Sequence, residues 1–251
     1  MRKTLITNLA IITITGLSLT AIADDAKNTK SILDSNLLQG KFSGNFGAYS
    51  DYKFRGISQT MQSPSAQGNL EFLSNSGVKV GFFGSNVDFG NSSDASSEMD
   101  LYTSFNKSFD KLSTETGFIY YGYPGAKSAN NYDYSELYEI VGYDFEVIKI
   151  SGSFNYSPNF LADSGTAYYP KFTVTVPITK EISLDTSIGH QWVNNNVKYG
   201  VPDYTDYTLG IAYSLNDFTL RAAYIGTNLN SQKCASDLCR NGVILSLAKS
   251  F

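Results

Sequence analysis

The chain has 251 residues, 42% hydrophobic and only 17% charged, with Lys+Arg 19 against Asp+Glu 23. A formal net charge of -4 without a basic cluster argues against nucleic acid as a partner, and His 1 with Cys 2 leaves no ligand set for a metal centre. Tyr 18 and Phe 16 beside Pro 6 make a β-forming composition with few strand breakers.

The N-terminus reads as an export signal. Arg2 and Lys3 precede a mainly apolar run from Leu5 to Leu19, followed by Ala21-Ile22-Ala23. A charged start, an apolar middle and small residues at the end define a secretory leader, here residues 1–23, cleaved before Asp24. As a membrane anchor the run is too short, and Thr7, Asn8, Thr13 and Thr15 interrupt it. No other segment approaches the roughly 18 uninterrupted apolar residues of a spanning helix. Residues 24–40 are polar, with Ile32, Leu33, Leu37 and Leu38 at loosely helical spacing. They suit a short amphipathic helix or a flexible periplasmic leader.

From Lys41 to the end, residues 41–251, alternating apolar and polar runs predict twelve strands. These are Lys41–Phe54, Ala66–Leu73, Val78–Phe89, Glu98–Ser108, Leu112–Tyr123, Ser135–Tyr143, Val147–Tyr156, Ala167–Val176, Ile182–Trp192, Tyr204–Ser214, Phe218–Thr227 and Asn241–Phe251. Most are near the length a tilted membrane strand needs. The connections alternate strictly. Arg55–Ser65, Gly90–Ser97, Pro124–Tyr134, Ser157–Thr166, Val193–Asp203 and Asn228–Arg240 are long, and the turns between them are short. Strands running up and down a closed wall put all long loops at one end, as in a single all-β, 12-stranded antiparallel transmembrane β-barrel of the bacterial outer membrane.

The faces agree. Tyr207, Leu209, Ile211 and Tyr213 oppose Asp206, Thr208, Gly210, Ala212 and Ser214; Phe218, Leu220, Ala222 and Tyr224 oppose Thr219, Arg221 and Ala223. Aromatics near strand ends, Trp192 and Phe251 among them, fit belts at the two membrane–water levels. The first strand sets Phe42, Phe46, Tyr52 and Phe54 outward. Ser135–Tyr143 has no readable register, because Glu136 and Glu139 have opposite parity. Val243, Leu245 and Leu247 alternate up to the terminal Phe251, an ending of the kind that barrel-assembly machinery reads as a sorting signal. The amine of Lys249 in that row is expected to reach water along the barrel surface. Cys234 and Cys239, in one loop of an exported chain, predict a short-range disulfide that shapes the loop tip.

Parity points Asp51, Lys53, Arg55, Glu71, Lys79, Asp100, Glu115, Lys149, Lys171, Asp185, Asp206 and Arg221 into the lumen. Rings of charge set ion preference in a channel; here the signs balance and weak selectivity is expected. Either the charges line an open passage or they pair across it and seal it, and barrel size alone does not decide. Arg55 is the candidate constriction residue, or else a salt bridge that anchors the Arg55–Ser65 loop.

The expected function is passive passage of ions or small hydrophilic solutes through a narrow lumen. A sealed barrel acting as an adhesin or receptor through its long loops is the alternative. An outer-membrane hydrolase needs Ser and His facing lipid. The only histidine, His190, faces outward, but its i+2 neighbour is Trp192, so no catalytic residue is assigned. With no glycine-rich phosphate loop after a strand, no cofactor is expected.

The stretch Tyr49-Ser50-Asp51-Tyr52-Lys53-Phe54-Arg55-Gly56-Ile57-Ser58-Gln59-Thr60 resembles the TorF-type porin family of proteobacteria. Pro64, Gln67-Gly68, Gly84-Ser85-Asn86 with Asp88, Tyr120 to Gly125, Glu136-Leu137-Tyr138 and the strand closing at Phe251 fit the same pattern. The resemblance covers essentially the whole exported chain, and its first block is the specific part. It implies an outer-membrane barrel with a channel role and no catalytic residues. The paired cysteines and Lys249 depart from the pattern.

Overall fold

The computed structural model describes residues 39–251 apart from 91, 92, 231, 235 and 236. The leader and nearly all of residues 24–40 fall outside these; of that segment, Gly40 already belongs to the first strand.

Among the described residues fourteen strands are formed: β1 Gly40–Tyr49, β2 Lys53–Phe54, β3 Ile57–Ser58, β4 Ser65–Ser74, β5 Val78–Asn86, β6 Ser97–Phe109, β7 Leu112–Gly122, β8 Tyr134–Asp144, β9 Lys149–Ser157, β10 Ala167–Pro177, β11 Ile182–Val193, β12 Tyr204–Leu215, β13 Phe218–Thr227 and β14 Gly242–Ser250. All but β2 and β3 make one closed barrel, each strand antiparallel to its sequence neighbour, with β1 paired to both β4 and β14. Closure pairs Asn45 with Ser250 and Tyr49 with Ser246 on one side, and Gly40 with Ser74 and Tyr49 with Ser65 on the other. Phe251 completes the seam: its amide donates to Gly44 O at 3.0 Å and its carbonyl accepts from Gly44 N at 3.1 Å. A closed ladder has no unpaired edge, which is the condition for crossing lipid with strands.

The expected twelve wall strands are present; the third ends at Asn86 and not at Phe89 and the seventh starts at Lys149 and not at Val147, and the first needs a larger correction. The first wall strand ends at Tyr49 and not at Phe54. Ser50 still pairs with the wall, its amide donating to Leu245 O at 2.8 Å. The chain then leaves the wall and turns into the lumen as the β2–β3 hairpin, which pairs Lys53 with Ser58 and Phe54 with Ile57. Tyr52 is therefore buried and Phe54 packs against the interior cluster, neither facing outward.

The barrel inverts the burial of a water-soluble protein. Outward side chains are apolar and exposed: Leu209 is 62% exposed, Ile188 55% and Leu101 53%. The opposite rows carry Asp100, Ser104, Ser187 and Asp206, all buried. Sequence periodicity sorts residues into two faces; closure decides which is inside. β8 takes the register with Glu136 inward beside Tyr134 and Tyr138. Glu139 points outward and accepts a hydrogen bond from Thr116 on β7. Lys249 places its ammonium over the Phe218 ring, 5.2 Å from the centroid.

Three inward tyrosines lie across inward glycines of the neighbouring strand. A Cβ at Gly117 would come within 2.3 Å of the Tyr138 ring, at Gly81 within 2.2 Å of Tyr102 and at Gly189 within 2.3 Å of the Tyr169 hydroxyl. The glycine leaves a flat seat and the ring covers it, pinning register. Each hydroxyl then reaches a carboxylate: Tyr138 to Glu115 at 2.7 Å, Tyr102 to Glu71 at 2.6 Å and Tyr169 to Asp206 at 2.8 Å. Gly117→Ala is expected to displace Tyr138 and destabilise the barrel by about 1–3 kcal/mol. Denaturant titration of the folded protein in vesicles measures it, and an unchanged midpoint would mean the seat is not needed.

Candidate functional site

The hairpin's tip lies inside the barrel, against β12 and β13. Arg55 and Gly56 form it, both at positive φ (47° and 80°). Gly56 is required twice over: a Cβ there would strain the backbone and would meet Thr227 Cγ2 at 2.5 Å and Gly226 O at 3.0 Å. This tight turn against the wall aims Arg55 across the lumen.

Arg55 spans between two strands. Nη2 donates to Glu136 Oε2 on β8 and Nη1 to Gln191 Oε1 on β11, each at 2.6 Å. Glu136 also accepts from Asn155 Nδ2 at 2.9 Å and from the Tyr121 hydroxyl at 3.3 Å. The guanidinium lies over the Tyr169 ring at 4.1 Å and the Phe54 ring at 4.7 Å. Burial works against its charge, but Glu136 across from it more than compensates, and the Arg55 pKa is raised.

Gln191 is positioned by a fault in the ladder. Pro170 has no N–H to give, and the β10–β11 register skips from Tyr168–Trp192 to Lys171–Gly189. Gln191 Nε2 fills the gap, donating to Tyr168 O at 3.3 Å and Trp192 O at 3.1 Å. Its Oε1 is thereby turned to Arg55.

The rest of the hairpin is anchored at the outer end. Asp51 accepts from Ser58 Oγ at 2.6 Å and Thr60 Oγ1 at 2.9 Å. Lys53 lies 3.8 Å from Asp51 Oδ2 and donates to Arg240 O at 2.8 Å; burial pushes its pKa down, with Asp51 opposing. The disulfide loop supplies two more backbone acceptors: Leu238 O takes the Ser58 amide at 2.9 Å, and Asp237 O takes Gln62 Nε2 at 3.0 Å. That loop carries the Cys234–Cys239 bond. Beside the hairpin a chain of rings packs in the interior: Phe54 on Tyr121 (5.6 Å), Tyr121 on Tyr134 (4.2 Å), Tyr134 on Phe160 (4.6 Å) and Phe160 on Tyr199 (5.3 Å). Phe160 comes from a loop. Tyr199 comes from a single helical turn, α1 (Asn196–Tyr199), capped by the Asn195 side chain.

Toward the short-turn end the inward charges pair with one another. Lys79 meets Glu115 at 2.8 Å, Lys149 meets Asp144 at 2.9 Å, and Arg221 grips Asp185 through Nε at 3.1 Å and Nη2 at 2.5 Å. Glu71 and Asp206 are held by Tyr102 and Tyr169. Lys171 shares the inward row of β10 with Tyr169 and makes no ion pair among the described residues. The inward residues thus fall in two layers: the Arg55 layer, with Asp51, Lys53 and Asp206, and a belt of pairs below it.

Glu136 and Gln191, the two partners of Arg55, are not among the charges picked from sequence. Glu136 was ambiguous by parity, and Gln191 carries no charge. Glu98, on the same row as Asp100, is a further inward carboxylate absent from that set. His190 bonds Thr205 Oγ1 through Nδ1 at 2.8 Å and packs 4.2 Å from the Trp192 ring. Among the described residues no carboxylate orients its ring, as a hydrolytic triad requires.

A closed twelve-stranded up-and-down barrel, apolar outside and charged within, defines the class of outer-membrane β-barrels. Residues 39–251 match the profile of a bacterial protein family of unknown function, Gcw_chp, and the chain belongs to that family. Among solved structures it is similar to the NanC porin in a rhombohedral crystal form, with TM-score 0.57, 10% identity and coverage of 84% of this chain and 99% of that one. A weaker likeness is to the COG4313 outer membrane channel from Pseudomonas putida F1, with TM-score 0.49, 10% identity and coverage of 86% and 97%. At such identities the likeness is one of fold. No functionally curated protein matches the chain by sequence.

Removing Arg55 would take from the buried Glu136 its one ion-pair partner among the described residues. Arg55→Ala is expected to cost about 3–5 kcal/mol, and adding Glu136→Gln to recover most of it. Denaturant midpoints in vesicles report both, and equal midpoints for single and double variants would show that Glu136 does not depend on Arg55.

Proposed function

We propose that this chain is an outer-membrane channel for ions and small hydrophilic solutes, with Arg55, Glu136 and Gln191 as its constriction. The observation that carries it is the interior. Charged and hydroxyl rows run down the lumen, and a side chain on a hairpin that is not part of the wall reaches both β8 and β11. A wall cannot narrow or widen without breaking its ladder; a hairpin inside it can move.

The charge layout favours cations. Below Arg55 the pairs Lys79–Glu115, Lys149–Asp144 and Arg221–Asp185 neutralise one another. In the outer layer Asp51, Glu98, Asp100, Glu136 and Asp206 outnumber Lys53, Arg55 and Lys171. Inward charge of one sign sets preference for the opposite ion.

The location follows from the same reading. The leader of residues 1–23 exports the chain, residues 24–40 stay periplasmic, and the barrel-assembly machinery reads the strand ending in Phe251. Outer-membrane lipid then covers the apolar face. The finer resemblance to TorF-type porins agrees with a channel role. Catalysis has no place in it.

One observation favours a second reading. The outer lumen is tightly filled, with Gln191 and Tyr204 at 0% exposure and Tyr121 at 1%. If the hairpin never moves, the barrel is sealed and its long loops act as adhesin or receptor. Planar-bilayer recording separates the two. The wild-type protein is expected to show small conductance steps, with a reversal potential in a salt gradient that favours cations, and Arg55→Ala to raise the conductance several-fold. Silence from both proteins would leave the sealed reading.

A further inference from the structure

Three of the bonds that hold the hairpin end on one short stretch of another loop. Lys53 Nζ donates to Arg240 O at 2.8 Å, the Ser58 amide to Leu238 O at 2.9 Å and Gln62 Nε2 to Asp237 O at 3.0 Å. All three acceptors are backbone carbonyls, so the grip depends on where the chain from Asp237 to Arg240 points. Two features set its course. The Arg240 amide turns back to Asp237 O at 2.9 Å. The Cys234–Cys239 bond, with a sequence separation of 5, closes a ring that contains Asp237 and Leu238.

The root of this loop is tied to the wall without sulfur. Asn241 Oδ1 accepts from the Thr227 amide at 2.9 Å and its Nδ2 donates to the Tyr207 hydroxyl at 2.7 Å. A ring this short removes little chain entropy, so opening it spares the barrel and acts on the aim of the three carbonyls. Lys53 couples that aim to the hairpin. Its side chain is 2% exposed. Without Arg240 O it keeps only longer contacts, Gly56 O at 3.4 Å and Asp51 Oδ2 at 3.8 Å. A buried ammonium that loses its shortest acceptor is costly to keep in place.

The two cysteines are 4% exposed each, which excludes a protein reductant. A small one has a way in. Both cysteines line a cavity of about 240 Å³, and Asp237, Arg240 and Asn241, which share its lining, are exposed.

We infer that Cys234–Cys239 is a thiol-exchange site for a small thiol and acts as a lock on the β2–β3 hairpin: oxidised it holds the hairpin at β3, reduced it lets that part go. A thiolate attacks one cysteine sulfur, the S–S bond breaks, and the other cysteine leaves as a thiolate that takes a proton; a second thiol then displaces the first as a disulfide. Two small thiols are oxidised to one disulfide and the protein gains two thiol groups. The hairpin keeps two holds of its own, Arg55 on Glu136 and Gln191, and Gln59 O accepting from the Asp88 amide at 2.7 Å. Reduction thus loosens the hairpin and leaves the barrel closed.

This inference deepens the channel reading, and rests on it only for the consequence that loosening widens the passage; the lock has its own readout. The folded full-length protein in detergent is treated with 2-mercaptoethanol, alkylation and mass measurement count the freed thiols, and hydrogen exchange is compared before and after at one pH. The Ser58 amide is expected to lose at least tenfold protection on reduction and in the Cys234→Ser/Cys239→Ser double variant without reductant, while wall-strand amides keep theirs. Reoxidation of the wild-type protein is expected to restore it, which tests the lock even where the double variant does not fold. A bond that the thiol leaves intact in the folded protein overturns the exchange site, and Ser58 protection that is the same oxidised and reduced overturns the lock. Bilayer recording adds the consequence: conductance steps are expected to grow at least twofold on reduction. Loss of Ser58 protection in a protein that stays silent in both states supports the lock and overturns the channel.

Discussion

Backbone hydrogen bonding in a solvent that offers none is the constraint on which the rest of this structure depends. A strand in lipid must pair on both sides, so the sheet has to return to its own first strand. It does so at β1, which pairs with β4 and β14 at once, and the terminal Phe251 exchanges bonds with Gly44 to finish the seam. Closure with twelve strands sets the bore. That bore lies between the filled eight-stranded barrels and the open porins.

The chain resolves this differently at the two ends. Near the short turns, opposite charges on neighbouring strands pair and tyrosines lie over glycine seats. Near the long loops, an entire hairpin enters and carries Arg55 to the far wall. The Arg55 clamp is a poor source of net stability, because desolvating both ions offsets most of their attraction. Its strength is geometric: the guanidinium fork accepts one arrangement, with Glu136 on one prong and Gln191 on the other. Gln191 is available only because Pro170 interrupts the ladder beside it. A backbone defect in the wall thus becomes the receptor for the plug.

The hairpin is held by three kinds of contact, and they differ in what disturbs them. The disulfide loop grips it through backbone carbonyls that do not titrate. Arg55 keeps its charge at any ordinary pH. Tyr52 donates to Glu98, which has no ion pair among the described residues.

Much of this was legible in the amino-acid order. Period-two alternation is a local property, so Leu209, Ile211 and Tyr213 were separable from Asp206, Thr208 and Gly210 before any fold was known. The long-short rhythm of connections followed from up-and-down strands, and the inward rows of β10, β12 and β13 followed from parity. The hairpin was not legible. Phe42, Phe46, Tyr52 and Phe54 keep one parity, so alternation runs unbroken past Tyr49 and conceals the point where the wall strand stops. The polar residues after it look the same whether they face water or a polar lumen. Parity also could not choose between Glu136 and Glu139, because only pairing with β7 and β9 sets the register of β8. Sequence by itself determined the container, since its rules act between neighbours two residues apart. The tertiary structure alone decided what fills it, since the Arg55 contacts join strands 81 and 136 residues away, and no local pattern encodes a distance across a lumen.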